Sequence, residues 1–159
     1  MSTFHKLLIV AAIVALNVSC QQTESSLTDS QRAAIVDEIK QLTAAAYEAV
    51  SQLDHKRAYS YFSEQTTAAI NGKVIESWET HKQQGGAFLA SLREAKYVVE
   101  EMQVDVLTPD VAVLVGRYHF TATDTAGNAM TATPAWTWVF ARQNREWKIV
   151  HAHISEPGG

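Results

Sequence analysis

Trp136-Thr-Trp138-Val-Phe140-Ala-Arg142-Gln-Asn-Arg-Glu-Trp147-Lys-Ile149-Val-His151-Ala-His153-Ile-Ser155 is the stretch whose reading decides the fold. Aromatic residues take alternate positions in its first half, and Trp147, Ile149, His151 and His153 alternate in its second. A period of two marks a strand with one buried face, so the segment predicts a β-hairpin. With Gln143-Asn144 as a two-residue turn, Arg142 opposes Arg145, and Phe140–Trp147, Trp138–Ile149 and Trp136–His151 pair across it. All of these side chains then share one face with His153. Thr137, Val139, Ala141, Lys148, Val150, Ala152 and Ile154 fall on the other, which is small and mixed and suits solvent or a flat partner. A three-residue loop with a bulge would break this pairing.

Upstream, the same alternation runs through Tyr97–Leu107, Val111–Ala122 and Met130–Ala141, with turn signals at Thr108-Pro109-Asp110 and Asp124–Asn128. With Glu146–Ile154 these make a four-strand antiparallel meander. Before Lys96 the pattern is helical. Thr28-Asp-Ser-Gln31 fits a capping box, followed by Ile35, Ile39, Leu42, Ala46, Val50 and Leu53 at three- and four-residue steps. Asp54–Phe62 reads as a short second helix and Thr66–Ile70 as a short strand closed by Asn71-Gly72. Lys73–Arg93 reads as a third helix, which Gly85-Gly86 should bend or weaken. Helices followed by a curved antiparallel sheet define an α+β fold.

Length and composition agree. At 159 residues, 47% hydrophobic and 19% charged, the chain suits one globular domain. A net charge of −4 and scattered basic residues argue against a nucleic-acid partner. The N-terminus has a weakly positive start, an apolar run from Leu7 to Leu16, and then Asn17-Val18-Ser19-Cys20. That run is too short for a bilayer-spanning helix, which needs about 20 residues, and matches a cleaved signal sequence. The single cysteine at its end resembles a bacterial lipobox. Asn17 departs from that pattern, which usually has a small or apolar residue there, and an ordinary secretory signal is the other reading. The expected organisation is a signal over residues 1–19, lipidated Cys20 and tether over 20–27, the domain over 28–156 and a tail over 157–159. The localisation implied is the cell envelope, with the chain anchored to a membrane through its lipid.

The ending Trp147-Lys-Ile-Val-His151-Ala-His153-Ile-Ser155, with Trp138-Val-Phe140-Ala-Arg142 before it, resembles the close of the SnoaL-like and ketosteroid-isomerase-like branch of the nuclear transport factor 2-like superfamily. The resemblance spans roughly Gln31 to Ser155. It implies a cone-shaped α+β fold with N-terminal helices packed on the sheet. It names no single activity, because that fold carries enzymes, binding proteins and oligomerisation domains.

Candidate site residues follow from the aromatic face. Trp78, Trp136, Trp138, His151 and His153 are expected to line a conical ligand pocket. The two histidines have three readings: pocket-lining groups bonded to Tyr47, Tyr61 or Tyr118; a general acid or base; or, with His119, metal ligands. The ketosteroid-isomerase resemblance implies a carboxylate base and a tyrosine donor, but among the meander's acids only Asp105 is a candidate to point inward. His151 or His153 is therefore the candidate catalytic base. Glu76-x-x-Glu79-x-His81 reads as a solvated helix face. No phosphate loop, nucleophile elbow or metalloprotease helix is present, so no cofactor and no metal are expected. The leading expectation is an envelope-anchored domain binding a small, largely apolar organic ligand. The alternatives are an isomerase, cyclase or dehydratase with a histidine base, and a non-catalytic interaction module. A homodimer through the outer sheet face is compatible with all three.

Overall fold

The computed structural model describes residues 27–156. The signal sequence, Cys20, most of the tether and the tail expected from the sequence lie outside the described residues. Three helices precede or interrupt the early strands: α1 (Asp29–Ser51), α2 (His55–Ser60) and α3 (Trp78–Ala90). The strands are β1 (Phe62–Ile70), β2 (Lys73–Val74), β3 (Leu92–Thr108), β4 (Val111–Asp124), β5 (Ala129–Ala132), β6 (Ala135–Gln143) and β7 (Glu146–Ser155). They form one sheet in the order β2-β1-β7-β6-β4-β3, with β5 beside β4. Every pairing is antiparallel except β1 with β7, which run parallel. The α+β class and the helices-on-curved-sheet architecture are those the sequence implies.

α1 starts where the capping box places it. Thr28 Oγ1 accepts from the Gln31 amide at 3.2 Å, and Gln31 Oε1 accepts from the Thr28 amide at 2.9 Å. Ile35, Ile39, Ala46 and Tyr47 then bury against the sheet. Glu38, about one turn after Ile35 and next to Ile39, receives hydrogen bonds of 2.9 Å from both Trp147 Nε1 and Arg142 Nη2, while the Arg142 guanidinium sits 4.5 Å from the Trp147 ring centre. That three-residue clamp ties the helix to the closing hairpin and gives a buried indole N–H its acceptor.

Helix α3 is shorter than expected. It begins at Trp78 because Ser77 Oγ caps the Thr80 amide at 3.2 Å, and Lys73–Val74 pairs with β1. Gly85 and Gly86 do not interrupt it. A Cβ at Gly85 would stand 2.1 Å from Tyr59 Oη, and one at Gly86 would stand 2.9 Å from the His55 ring. The two glycines let α2 press directly on α3, and His55 Nε2 lies 2.7 Å from the Lys82 carbonyl across the same contact. The expected strand over Met130–Ala141 is also divided. Pro134 lacks an N–H and restricts Thr133, so β5 and β6 pair with β4 as two separate strands.

The closing hairpin forms, but its register differs from the expected one in two ways. The turn is Asn144-Arg145, both at positive φ (51° and 72°), so Arg142 opposes Trp147 and Phe140 opposes Ile149. This two-residue slip keeps every side chain on its expected face, because the strand period is two. The second difference does not. A bulge at Val150 shifts the ladder by one, so Val139 opposes His151, Trp138 opposes Ala152, Thr137 opposes His153 and Trp136 opposes Ile154. Ala152 and Ile154 therefore join Trp136, Trp138, Phe140, Trp147 and Ile149 on the inner face. His151 and His153 move to the outer face, correcting their expected position.

Beside the bulge, the neighbouring strand β1 holds β7 from its other edge. Thr66 Oγ1, buried, lies 2.8 Å from the Ile149 carbonyl and 2.8 Å from the Ser63 carbonyl, and the Ile149 amide donates to the Tyr61 carbonyl at 2.9 Å. The irregular start of β1 thus supplies partners to the Ile149 backbone groups on the edge of β7 that faces away from β6.

A left-handed conformation costs an ordinary residue about 1–2 kcal/mol, and glycine is free of that cost. Allowing for the entropy glycine loses on folding, Arg145→Gly should raise stability by about 0.5–1 kcal/mol in urea denaturation. A loss of stability instead would place the turn at Gln143-Asn144.

Candidate functional site

A cavity of about 170 Å³ opens between the helices and the inner sheet face. α1 contributes Tyr47 and Val50, α2 contributes Tyr59, and α3 presents Trp78, His81, Phe88 and Leu89 from one face. The sheet closes it with Phe62 and Ile70 of β1, Tyr97 of β3, Tyr118 of β4, Trp138 of β6, and Ala152 and Ile154 of β7. The bulge is what brings the last two here.

At the centre stands Tyr47. Its ring stacks on Trp138 at 5.3 Å and 14°, packs against Tyr97 at 5.5 Å and Tyr118 at 5.1 Å, and meets Trp136 edge-on at 5.5 Å. A second group lies towards α3, where Phe62 packs on Trp78 at 5.0 Å and Trp78 on His81 at 5.3 Å. Such offset and edge-on pairs are each worth about 0.5–1.5 kcal/mol beyond their burial. Three polar atoms in or behind this wall have no partner among the described residues: Tyr47 Oη, Trp138 Nε1 and Trp136 Nε1.

Electrostatically the cavity is plain. Among the described residues, no Asp, Glu, Lys or Arg lines it. Burial pushes the Tyr47 and Tyr97 hydroxyls well above the usual tyrosine range and the Tyr118 hydroxyl up to about 12. All three are therefore protonated donors at neutral pH. Burial also holds His81 below the usual histidine value, favouring its neutral form.

The expected site residues divide accordingly. Trp78 and Trp138 line the cavity. Trp136 is buried behind it, edge-on to Tyr47 and pressed so close to Gly116 that a Cβ there would stand 2.5 Å from its ring. His151 and His153 are outside. The His151 Nδ1 is 2.8 Å from Thr67 Oγ1 on the outer face, so the expected tyrosine partners do not reach it, and His153 is exposed. His119 is on the outer face too, with Thr133 Oγ1 3.1 Å from its Nδ1. Among the described residues, no three His, Cys, Asp or Glu side chains gather to hold a metal ion. Asp105 pairs opposite Val113 and is exposed, so it does not point inward. Glu100 and Glu101 share Arg117, at 3.0 and 2.8 Å.

His81 and Tyr47 are the residues that sequence reasoning undervalued. The steps from Trp78 to His81, Gly85 and Phe88 are three, four and three, the spacing of one helix face. That signal was available, but it points to a pocket only once the helix is known to begin at Trp78.

A cone of helices over a curved sheet, with an apolar cavity at its centre, defines the nuclear transport factor 2-like class. The chain belongs to the SnoaL-like domain family, whose profile matches residues 39–158. Several solved structures share the fold. A nuclear transport factor 2-like superfamily protein from Salmonella enterica is 20% identical, covering 80% of this chain and 94% of its own, with a TM-score of 0.71. A type 2 hexachlorocyclohexane dehydrochlorinase is 14% identical over 82% of this chain and 90% of its own, with a TM-score of 0.70. The CaMKII association domain of C. elegans is 21% identical over 80% of this chain and 99% of its own, with a TM-score of 0.64. No curated protein matches the chain by sequence.

Because burial disfavours charged His81, the unfolded chain binds its proton more readily than the folded one. Its contribution to stability is complete above the unfolded value near pH 6.5 and is lost as pH falls from there towards the lower folded value. His81→Asn should therefore narrow the gap between unfolding midpoints at pH 7.5 and pH 5.5. An unchanged gap would show that the imidazole is not desolvated.

Proposed function

We propose that this is an envelope-anchored SnoaL-like domain that binds a small, largely apolar organic molecule in its cavity. The observation that carries the reading is the cavity itself: an apolar, aromatic-lined space with unpartnered donors in its wall. Core packing normally fills such space and pairs such groups. Ligand pockets combine an apolar lining with a few placed polar atoms in this way.

Anchoring is supported by the apolar run from Leu7 to Leu16 and by Cys20, the chain's single cysteine. The tether would enter the fold at Thr28, and Tyr47 lies about 27 Å along α1 from Asp29 at 1.5 Å per residue. The ligand site is therefore remote from the anchored end of the helix. No helix among the described residues is long and apolar enough to cross a membrane.

A homodimer belongs to the same proposal. The outer sheet face presents Val113, Val115, Thr137 and Val139, with Val98 and Val115 exposed; Ala152 and Ile154, once expected there, face inward. The fold is shared with an association domain, and a two-fold contact would cover this face with itself. A catalytic reading rests on His81, which shares the cavity lining with Tyr47, Tyr97 and Tyr118, since His151 and His153 do not reach the cavity.

Native mass spectrometry of the purified full chain with single-ring hydrophobes tests binding and assembly together. The expected species is twice the protomer mass carrying one ligand per protomer. Bare protein at every ligand concentration would sink the binding reading, and bare or liganded monomer alone would sink the dimer. Radiolabelled palmitate should enter the wild-type chain and not Cys20→Ala; equal labelling of both would refute the anchor.

A further inference from the structure

Near its closed end the β3–β4 hairpin loses its regular ladder. Val106 pairs with Ala112 and Thr108 with Val111, which leaves Leu107 without a partner on β4. An inserted residue of this kind re-aims a side chain, and Leu107 is 60% exposed. A single exposed leucine ordinarily needs no explanation. This one stands beside the point where the chain enters the fold.

Arg32, in the first turn of α1, donates from Nη1 to the Val106 carbonyl. At the other end of the helix, Ser51 Oγ accepts from the Tyr97 amide at 3.1 Å. The helix therefore runs antiparallel to β3, its N-terminal end at the hairpin end and Tyr97 about 30 Å away along the strand. The Arg142 amide donates to the Asp110 carbonyl at 2.9 Å, which brings the β6–β7 turn to the same end. Leu27, just before the helix, packs against the core, so the entry point is fixed there too.

The length of chain before Leu27 gives this placement its meaning. From Cys20 to Leu27 the backbone spans at most about 25 Å when fully extended. A lipid on Cys20 would hold this end of the domain within that distance of a bilayer. One leucine cannot hold a protein on a membrane by itself, but a short tether makes its contact intramolecular, at a millimolar effective concentration. Charge does not draw this end to an anionic surface, because Asp29, Asp110 and Glu146 stand there with Arg32 and Arg145. The contact available is apolar.

We propose that Leu107 seats in the lipid surface beside the anchor and sets the domain upright on that end. This rests on the anchored reading proposed above and adds the orientation. From the hairpin end β4 leads away for about 40 Å to the β4–β5 turn. Tyr47, Val50 and Tyr97, which line the cavity, belong to the half away from the lipid.

Fluorescence of the lipid-modified chain in phosphatidylcholine vesicles carrying doxyl-labelled lipid tests the orientation. Cys20 is the chain's single cysteine and its thiol would carry the lipid, so Leu107→Cys and Ala126→Cys each supply one thiol for a fluorophore. The label at position 107 should be strongly quenched, and the label at 126, in the β4–β5 turn, should keep the intensity it has without doxyl lipid. A label on Pro109→Cys should be quenched too, and adding Leu107→Asp should abolish that quenching while the protein still floats with the vesicles. Gln143→Cys, in the adjoining turn, replaces Pro109→Cys if that variant does not fold. Equal quenching at 107 and 126, or quenching at 109 that survives Leu107→Asp, would overturn the docking and leave the anchor standing. Wild-type chain that does not float with the vesicles would overturn the anchor and the docking together.

Discussion

Between Ile149 and His151 the ladder to β6 accommodates one more residue on β7 than on its partner, and every side chain beyond it changes face. Without that residue, His151 and His153 would enter an aromatic wall that has no carboxylate among the described residues. Each imidazole left unpaired there would cost about 1–3 kcal/mol. With it, Ala152 and Ile154 supply small and apolar surface, and His151 finds Thr67 on the solvent side. On the edge of β7 facing away from β6, Thr66 reaches the Ile149 carbonyl and the Tyr61 carbonyl takes the Ile149 amide, so the Ile149 backbone stays paired beside the bulge. A polar rearrangement of two strands thereby determines the chemistry of the cavity behind them.

The rest of the inner face is organised about Tyr47. One helix side chain touches aromatic rings from β3, β4 and β6, so α1 cannot shift without disturbing the whole wall. Glu38 holds the same helix earlier along its length through Trp147 and Arg142. The contrast between these two contacts is informative. Trp147 Nε1 has an acceptor supplied by the protein, whereas Trp138 Nε1 and Tyr47 Oη have none. Trp136 Nε1, buried behind the cavity, has no partner among the described residues either.

Much of the architecture was legible in the chain. The capping box at Thr28, the apolar spacing of α1, the alternation of the later strands and the aromatic pattern of β6 each report a local physical preference, and each is realised. The failures also share a cause. Gly85-Gly86 looked like a weakness because helix propensity counts only the helix, whereas their purpose is the space they leave for Tyr59 and His55. His81 looked solvated because its neighbours Glu79 and Lys82 are charged, although the face it shares with Trp78 and Phe88 is turned inward. His151 and His153 looked internal because strict alternation has no means of showing an inserted residue.

The sequence by itself determined the periodicities: where helix gives way to strand, which helix begins at a cap, and that the last strands must bury aromatic residues on one face. These follow from bonding and side-chain spacing within a few residues of each position. The tertiary structure alone decided which face each residue of β7 takes after Val150, and so which groups surround the cavity. That choice is made by pairing with β6 and with β1, more than eighty residues earlier, where Thr67 meets His151 on the outer face. A pattern read along one strand carries no information about a partner supplied by another.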